Sequence, residues 1–175
     1  MARSEDLARV VALIPDRGDA RVFVGIDGVD GAGKTTFADA LAATVSRPAV
    51  RVSVDDFHND EAVRYRRGRN SPEGFWLDAF DYDRLIAEAL RPLRDSASVA
   101  PPGAVVIVDG LFLQRSELAG QFDLVVYLDV PFDVTAQRLH ARDGVRSLDR
   151  YVGASLLYFA ECDPLGRADV VIDNR

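Results

Sequence analysis

Lysine is all but missing from this chain: of 21 lysine and arginine residues, only Lys34 is a lysine. Cysteine also occurs once, at Cys162, which excludes an internal disulfide and fits a reducing compartment. That side chain is read as a small buried hydrophobe. Positive charge is in deficit, with a formal net charge of -7, which argues against a nucleic-acid partner. No long apolar run occurs in the opening MARSEDLARVVALIP, so it reads as neither a signal peptide nor a membrane span. The expectation is a cytoplasmic protein with no membrane and no nucleic acid among its partners. With 2 histidines and no His/Cys cluster, there is no sign of a structural metal. What remains is ordinary for a globular protein: 48% hydrophobic and 28% charged residues in 175, enough for one domain with a real core.

Apolar runs alternate with helical spacing. A short amphipathic helix over 5–14 stops at Pro15. RVFVGID reads as a buried strand, followed by a glycine loop and a helix over KTTFADALAATV. AVRVSV, AVVIVDG, FDLVVYLDV and ADVVIDN read as further strands. Helices are expected over 77–93, 131–142 and SLDRYVGASLLYFAEC, whereas 58–73 reads as a polar loop with at most a helical turn. Continuous apolar strands alternating with helices argue for a parallel sheet covered on both faces. The expected fold is α/β, a three-layer α/β/α arrangement with a mainly parallel five-stranded sheet, in a single domain over 1–175. In such sheets ligands sit beyond the carboxyl ends of the strands.

Gly28-Val29-Asp30-Gly31-Ala32-Gly33-Lys34-Thr35 fits GxxxxGK[ST] in the required place, after a strand and before a helix. Glycines let backbone amides turn inward around an anion, and the helix start adds its positive dipole end. Lys34 is expected to reach the β- and γ-phosphates of ATP, Thr35 to hold Mg²⁺, and Thr36 to add a hydroxyl near the α-phosphate. Such a cradle explains the lone lysine. A compact ammonium on a flexible stem fits among backbone donors, where a planar guanidinium does not.

Two strand tips carry acids. VVIVDG places Asp109 where a Walker B acid positions Mg²⁺. VSVDDF places Asp55 and Asp56 where a carboxylate can take the proton of an acceptor hydroxyl, with Asp55 preferred as the base. A capping pair is the alternative for those two acids.

With GVDGAGKTT, SVDDFH, LDAFDYDRL, VVIVDG, FDVTAQRLHARDG and ADVVIDN in this order, the chain resembles the uridine kinase and phosphoribulokinase family of P-loop kinases from about residue 22 to 174. The resemblance implies ATP and Mg²⁺, with Asp55 as base and Arg138 and Arg142 as arginines of a lid over about 138–150. It also implies an acceptor-side segment over about 55–82. Uridine kinases carry a ribose-gripping Asp in FDHPDAFD; the matching place in EGFWLDAFD is Phe75. The P-loop also looks like that of thymidylate kinase, where an acidic loop residue, here Asp30, can face the acceptor.

Arg138 and Arg142 share a helix face, and Arg146 and Arg150 follow. The cluster RYRRGR is read as a solvated loop balanced by Asp60, Glu61 and Glu73, with an anionic acceptor as the alternative. His58, Phe75, Trp76 and Asp78, with Asp55 and Asp56, are the candidates for contacting the acceptor; the two aromatics could equally be core. His140 is expected at the surface. The expected activity is transfer of the γ-phosphate to a hydroxyl of a small molecule, most simply a nucleoside. A nucleoside monophosphate kinase and a partner-coupled ATPase are the alternatives. An Asn-Lys-x-Asp guanine motif would need a second lysine, so the familiar GTPases are excluded.

Overall fold

The computed structural model describes residues 3–95, 99–143 and 149–175, with backbone alone at 142 and 143. Among them, β1 (Val22–Gly28), β2 (Ala49–Ser53), β3 (Val105–Asp109), β4 (Leu124–Asp129) and β5 (Val170–Asp173) form one sheet. Its order is β2-β3-β1-β4-β5, and every neighbouring pair is parallel. Each strand falls on one of the expected apolar runs.

Side chains alternate across the pleat, and each face has its own core. Val22, Val24 and Ile26 of β1 pack with Val105 and Ile107 of β3 against Leu7 of α1 (Ser4–Leu13) and Phe37 and Leu41 of α2 (Lys34–Thr44). Phe23, Val106 and Val108 point to the other face. There they meet Trp76 of α4 (Pro72–Asp78), Leu85 of α5 (Tyr82–Leu85) and Tyr158 of α8 (Asp149–Cys162). A side chain such as Leu41, fully out of water, contributes about 1.5–3 kcal/mol. The lone Cys162 is buried in this second core.

The segment expected as one helix over 77–93 is broken. α4 ends at Asp78, Phe80 forms an antiparallel bridge with His58, and a new helix starts at Tyr82. Asp81 caps that start, its carboxylate accepting from the Arg84 amide at 2.8 Å. Helical stretches then run on through a π turn at Ile86–Leu90 into α6 (Arg91–Arg94). Upstream, the expected loop holds α3 (Glu61–Arg64) and the start of α4, where Ser71 accepts from the Gly74 amide at 2.9 Å and Pro72 sits in the first turn. α7 (Phe132–Asp143) and α9 (Pro164–Arg167) complete the described α-helices. Among the described residues no helix is long and apolar enough to cross a membrane.

Because the strands are parallel, their carboxyl ends share one edge. β1 and β3 are neighbours, yet the chain runs from β1 past β3 to β2 and then from β3 back past β1 to β4. This switch point is where a parallel sheet opens a crevice.

Candidate active site

The crevice is built around the loop from Gly28 to Lys34. Gly31 and Gly33 have φ of 78° and 85°, and Gly33 caps α2 in the left-handed region. A Cβ on Gly31 would lie 3.0 Å from the Thr135 carbonyl oxygen, so the backbone closes on its neighbours with no room for a side chain. The first helical bond of α2 runs from the Phe37 amide to the Gly33 carbonyl at 2.9 Å. That leaves the amides of Lys34, Thr35 and Thr36 without carbonyl partners in the helix, aimed at the loop. Lys34 Nζ donates to the Val29 carbonyl at 2.8 Å. Burial lowers the Lys34 pKa, while Asp30, Asp27, Asp55 and Asp109 push it back up. Helix-start amides without helical partners beside a desolvated ammonium suit a polyphosphate.

At the tip of β3, Asp109 is 2% exposed and held on both oxygens. Thr35 Oγ1 donates to Oδ2 at 2.8 Å, and Arg51 Nη2 donates to Oδ1 at 2.6 Å. The hydroxyl and the carboxylate are two hard oxygen donors side by side, a pair that fits Mg²⁺ shared with phosphates. Arg51 also pairs with Asp39. Sequence reasoning missed Arg51, although a charge in the middle of AVRVSV was the signal.

A second missed network lies beneath the loop. Asp27 is fully buried; its carboxylate accepts from the Gly28 amide at 2.8 Å, Tyr158 Oη at 2.5 Å and Gln114 Nε2 at 3.2 Å. Burial raises its pKa, against those three hydrogen bonds. Burial likewise pushes the Tyr158 phenol up. Asn174 after β5 adds a strut by donating to the Ala32 carbonyl at 2.7 Å.

Beside the phosphate loop opens a cavity of about 280 Å³, lined by Asp30, Asp55, His58, Arg64, Tyr65, Phe75, Ala79, Phe80, Leu111, Arg150 and Tyr151. Asp55 stands in the 3₁₀ turn Val54–Phe57 that ends β2, where Ser53 Oγ accepts from the Asp55 amide at 3.3 Å. His58 is fixed by a 2.7 Å contact from Nδ1 to the Asp55 carbonyl and by the Phe80 ring, 4.6 Å away. Phe75 packs edge-on to Tyr151 at 4.9 Å.

The structure thus brings Asp30, Asp55, His58 and Phe75 to one cavity next to Lys34. It leaves three other candidates off that lining. Asp56 is exposed, and its carbonyl accepts from Arg84 at 3.0 Å. Trp76 lies in the core between Phe112 and Tyr158, with Nε1 on Glu161 at 3.2 Å. Asp78 is buried under Arg66 and Arg67, which hold it below the usual carboxylate range. Those two arginines and Arg69, which pairs with Glu61, belong to the cluster read as charge-balanced, but the main balancing acid is Asp78. Arg138 braces the loop, donating to the Asn174 carbonyl at 2.9 Å and the Gly31 carbonyl at 3.4 Å. The Arg142 side chain and Arg146 lie outside the described residues. His140 is exposed.

A family model described as an AAA domain matches residues 24–151. The chain belongs to this AAA-domain family of P-loop proteins, among the uridine kinase-like kinases. These P-loop kinases include a uridine kinase of Latilactobacillus sakei subsp. sakei (strain 23K), 28% identical over 145 residues that cover 71% of this chain and 67% of the relative. A nicotinamide riboside kinase of Saccharomyces cerevisiae is 27% identical over 177 residues, 80% of this chain and 73% of that one. A solved structure described as a possible uridine kinase from Bacillus stearothermophilus superposes with a TM-score of 0.77 at 27% identity, covering 97% of this chain and 96% of its own. P-loop kinases of this family use ATP and Mg²⁺ in general, and the relatives are small-molecule kinases by name.

Proposed function

We propose that the protein is an ATP- and Mg²⁺-dependent kinase that transfers the γ-phosphate to a hydroxyl of a small molecule of the nucleoside class. The observation that carries this reading is the adjacency of the phosphate loop to a cavity bearing Asp55. The loop amides and Lys34 would hold the β- and γ-phosphates, and Thr35 with Asp109 would hold Mg²⁺. When bound, the metal neutralises charge on the phosphate oxygens.

Asp55 supplies the base. An acceptor hydroxyl in the cavity gives its proton to the Asp55 carboxylate as its oxygen bonds to the γ-phosphorus. The bond from that phosphorus to the bridging oxygen breaks, and ADP leaves with the electron pair. The acceptor class is supported by two relatives named for ribosides, uridine and nicotinamide riboside, and by the aromatic lining of Tyr65, Phe75, Phe80 and Tyr151 on which a base can stack. The work is assigned to one domain spanning 1–175.

A coupled ADP-release screen over nucleosides, nucleotides, vitamins and sugars tests the reading. Acceptor-dependent ADP release that is lost in Asp55→Asn is the expected result. Nucleotide hydrolysis indifferent to every acceptor would overturn it in favour of a partner-coupled ATPase.

A further inference from the structure

Arg150, in the first turn of α8, is 7% exposed and lines the acceptor-side cavity. Its Nη1 donates to the Arg69 carbonyl at 2.8 Å, while its Nε is buried without a hydrogen-bond partner. The guanidinium carbon sits 4.9 Å from the ring centroids of Tyr65 and Phe75. Among the described residues no carboxylate pairs with it. Arg64, from α3, repeats the pattern: it lines the same cavity, has a buried Nε with no partner, stacks 5.4 Å from the Tyr65 centroid and meets no described carboxylate. Arg51 and Arg115 share the partnerless Nε but have carboxylates, Asp109 and Glu117, and Arg66 and Arg67 pair with Asp78.

A buried cation without a counter-ion is costly, and aromatic faces compensate it only in part. The fork of a guanidinium matches the paired oxygens of a carboxylate or phosphate. We infer that the acceptor carries an oxyanion besides its reactive hydroxyl, and that Arg150, assisted by Arg64, receives that oxyanion. The inference rests on the kinase reading only for the word acceptor. ATP is not assigned as the source of the charge, because its phosphates have the helix-start amides and Lys34 to hold them. The acceptor then spans the cavity with its hydroxyl at Asp55 and its oxyanion at the two arginines.

The test compares matched acceptors in the ADP-release assay: uridine against orotidine, panthenol against pantothenate, ribose against ribose 5-phosphate. In the best pair the anionic member has the higher kcat/KM. Arg150→Gln lowers that value by about 10²-fold through the acceptor KM, with the ATP KM unchanged. Arg64→Gln acts in the same direction with a smaller loss. Preference for the neutral member, or an effect of Arg150→Gln on the ATP KM instead, overturns the inference. If Arg150→Gln melts far below the wild type, Arg150→Lys and Arg64→Gln decide, since each must erode the anionic preference. Should no acceptor turn over, the kinase reading suffers, and the anion site is read by melting temperature with the magnesium complex of AMPPNP filling the loop. Inorganic phosphate must then raise the wild-type melting temperature but not that of Arg150→Gln. No rise, or an equal rise in both, overturns the site.

Discussion

Lys34 reaches back to the Val29 carbonyl, so its ammonium is already inside the cradle that a phosphate would enter. Burial weakens its hold on the proton, and an arriving phosphate restores it. Lys34→Arg is expected to cost on the order of 10²–10³ in kcat, the usual worth of one preorganised donor at a reacting centre. A planar guanidinium does not fit where a compact ammonium on a flexible stem does. An amine-reactive probe gives a second reading, because this is the only lysine side chain; MgATP should protect it, and equal labelling with and without nucleotide would contradict its placement. The adjacent acids offer a sharper contrast. Both acids are exposed, but only Asp55 lines the cavity. Asp55→Asn should keep ATP binding and slow transfer by about 10²–10⁴. Asp56→Asn should stay within a few fold of wild type, and the reverse order in single-turnover assays would move the base to Asp56.

The elements between β2 and α6 decide the shape of the cavity. α3, α4 and α5 are short, and the clamp of Arg66 and Arg67 on Asp78 ties the segment before α4 to its end. The folded pKa of Asp78 is depressed, chiefly by Arg66. Its stabilisation is therefore fully present above the unfolded value of about 3.9 and is lost as pH falls through the lower folded value. Asp78→Asn should cost on the order of 1–3 kcal/mol at pH 7. The gap from wild type should close as pH falls below about 4, measured by urea unfolding; a gap constant down to pH 2.5 would place the effect elsewhere.

This segment is also where sequence and structure part. The glycine loop and the strands were legible because φ requirements and continuous apolar runs are local. Apolar spacing over 77–93 could not report that Asp81 caps a new helix or that Phe80 turns aside to bridge His58. Asp78 read as a substrate contact because its tertiary partners lie 11 and 12 positions upstream. The grip of Arg51 on Asp109 was hidden likewise, across 58 positions and two strands.

At the scale of the whole molecule, one sheet edge gathers the phosphate loop and Asp109 on one side and the acceptor cavity on the other. What the cavity lacks then bears on selectivity. Where uridine kinases place a ribose-gripping acid, this chain has Phe75, which is 8% exposed and packed on Tyr151 and Phe80. Two nearby acids could have taken over that work. Asp78 is committed to Arg66 and Arg67, and Asp81 to the Arg84 amide. His58 is left in the lining, with Nδ1 engaged at the Asp55 carbonyl. A site built to bond a diol rejects the analogue lacking a hydroxyl by about 10⁴–10⁵, because its buried polar groups are then left unpaired. At that place the aromatic carbon of Phe75 has no such group to strand. Matched ribo- and 2′-deoxyribonucleosides are therefore expected to differ by less than about 10²-fold in kcat/KM, in the range a cavity without a dedicated partner reaches. Steady-state kinetics on uridine and deoxyuridine, and on any anionic pair that proves better, measures the ratio. A ribose preference above about 10³-fold would require a buried polar partner for the diol and would make His58 the first residue to substitute.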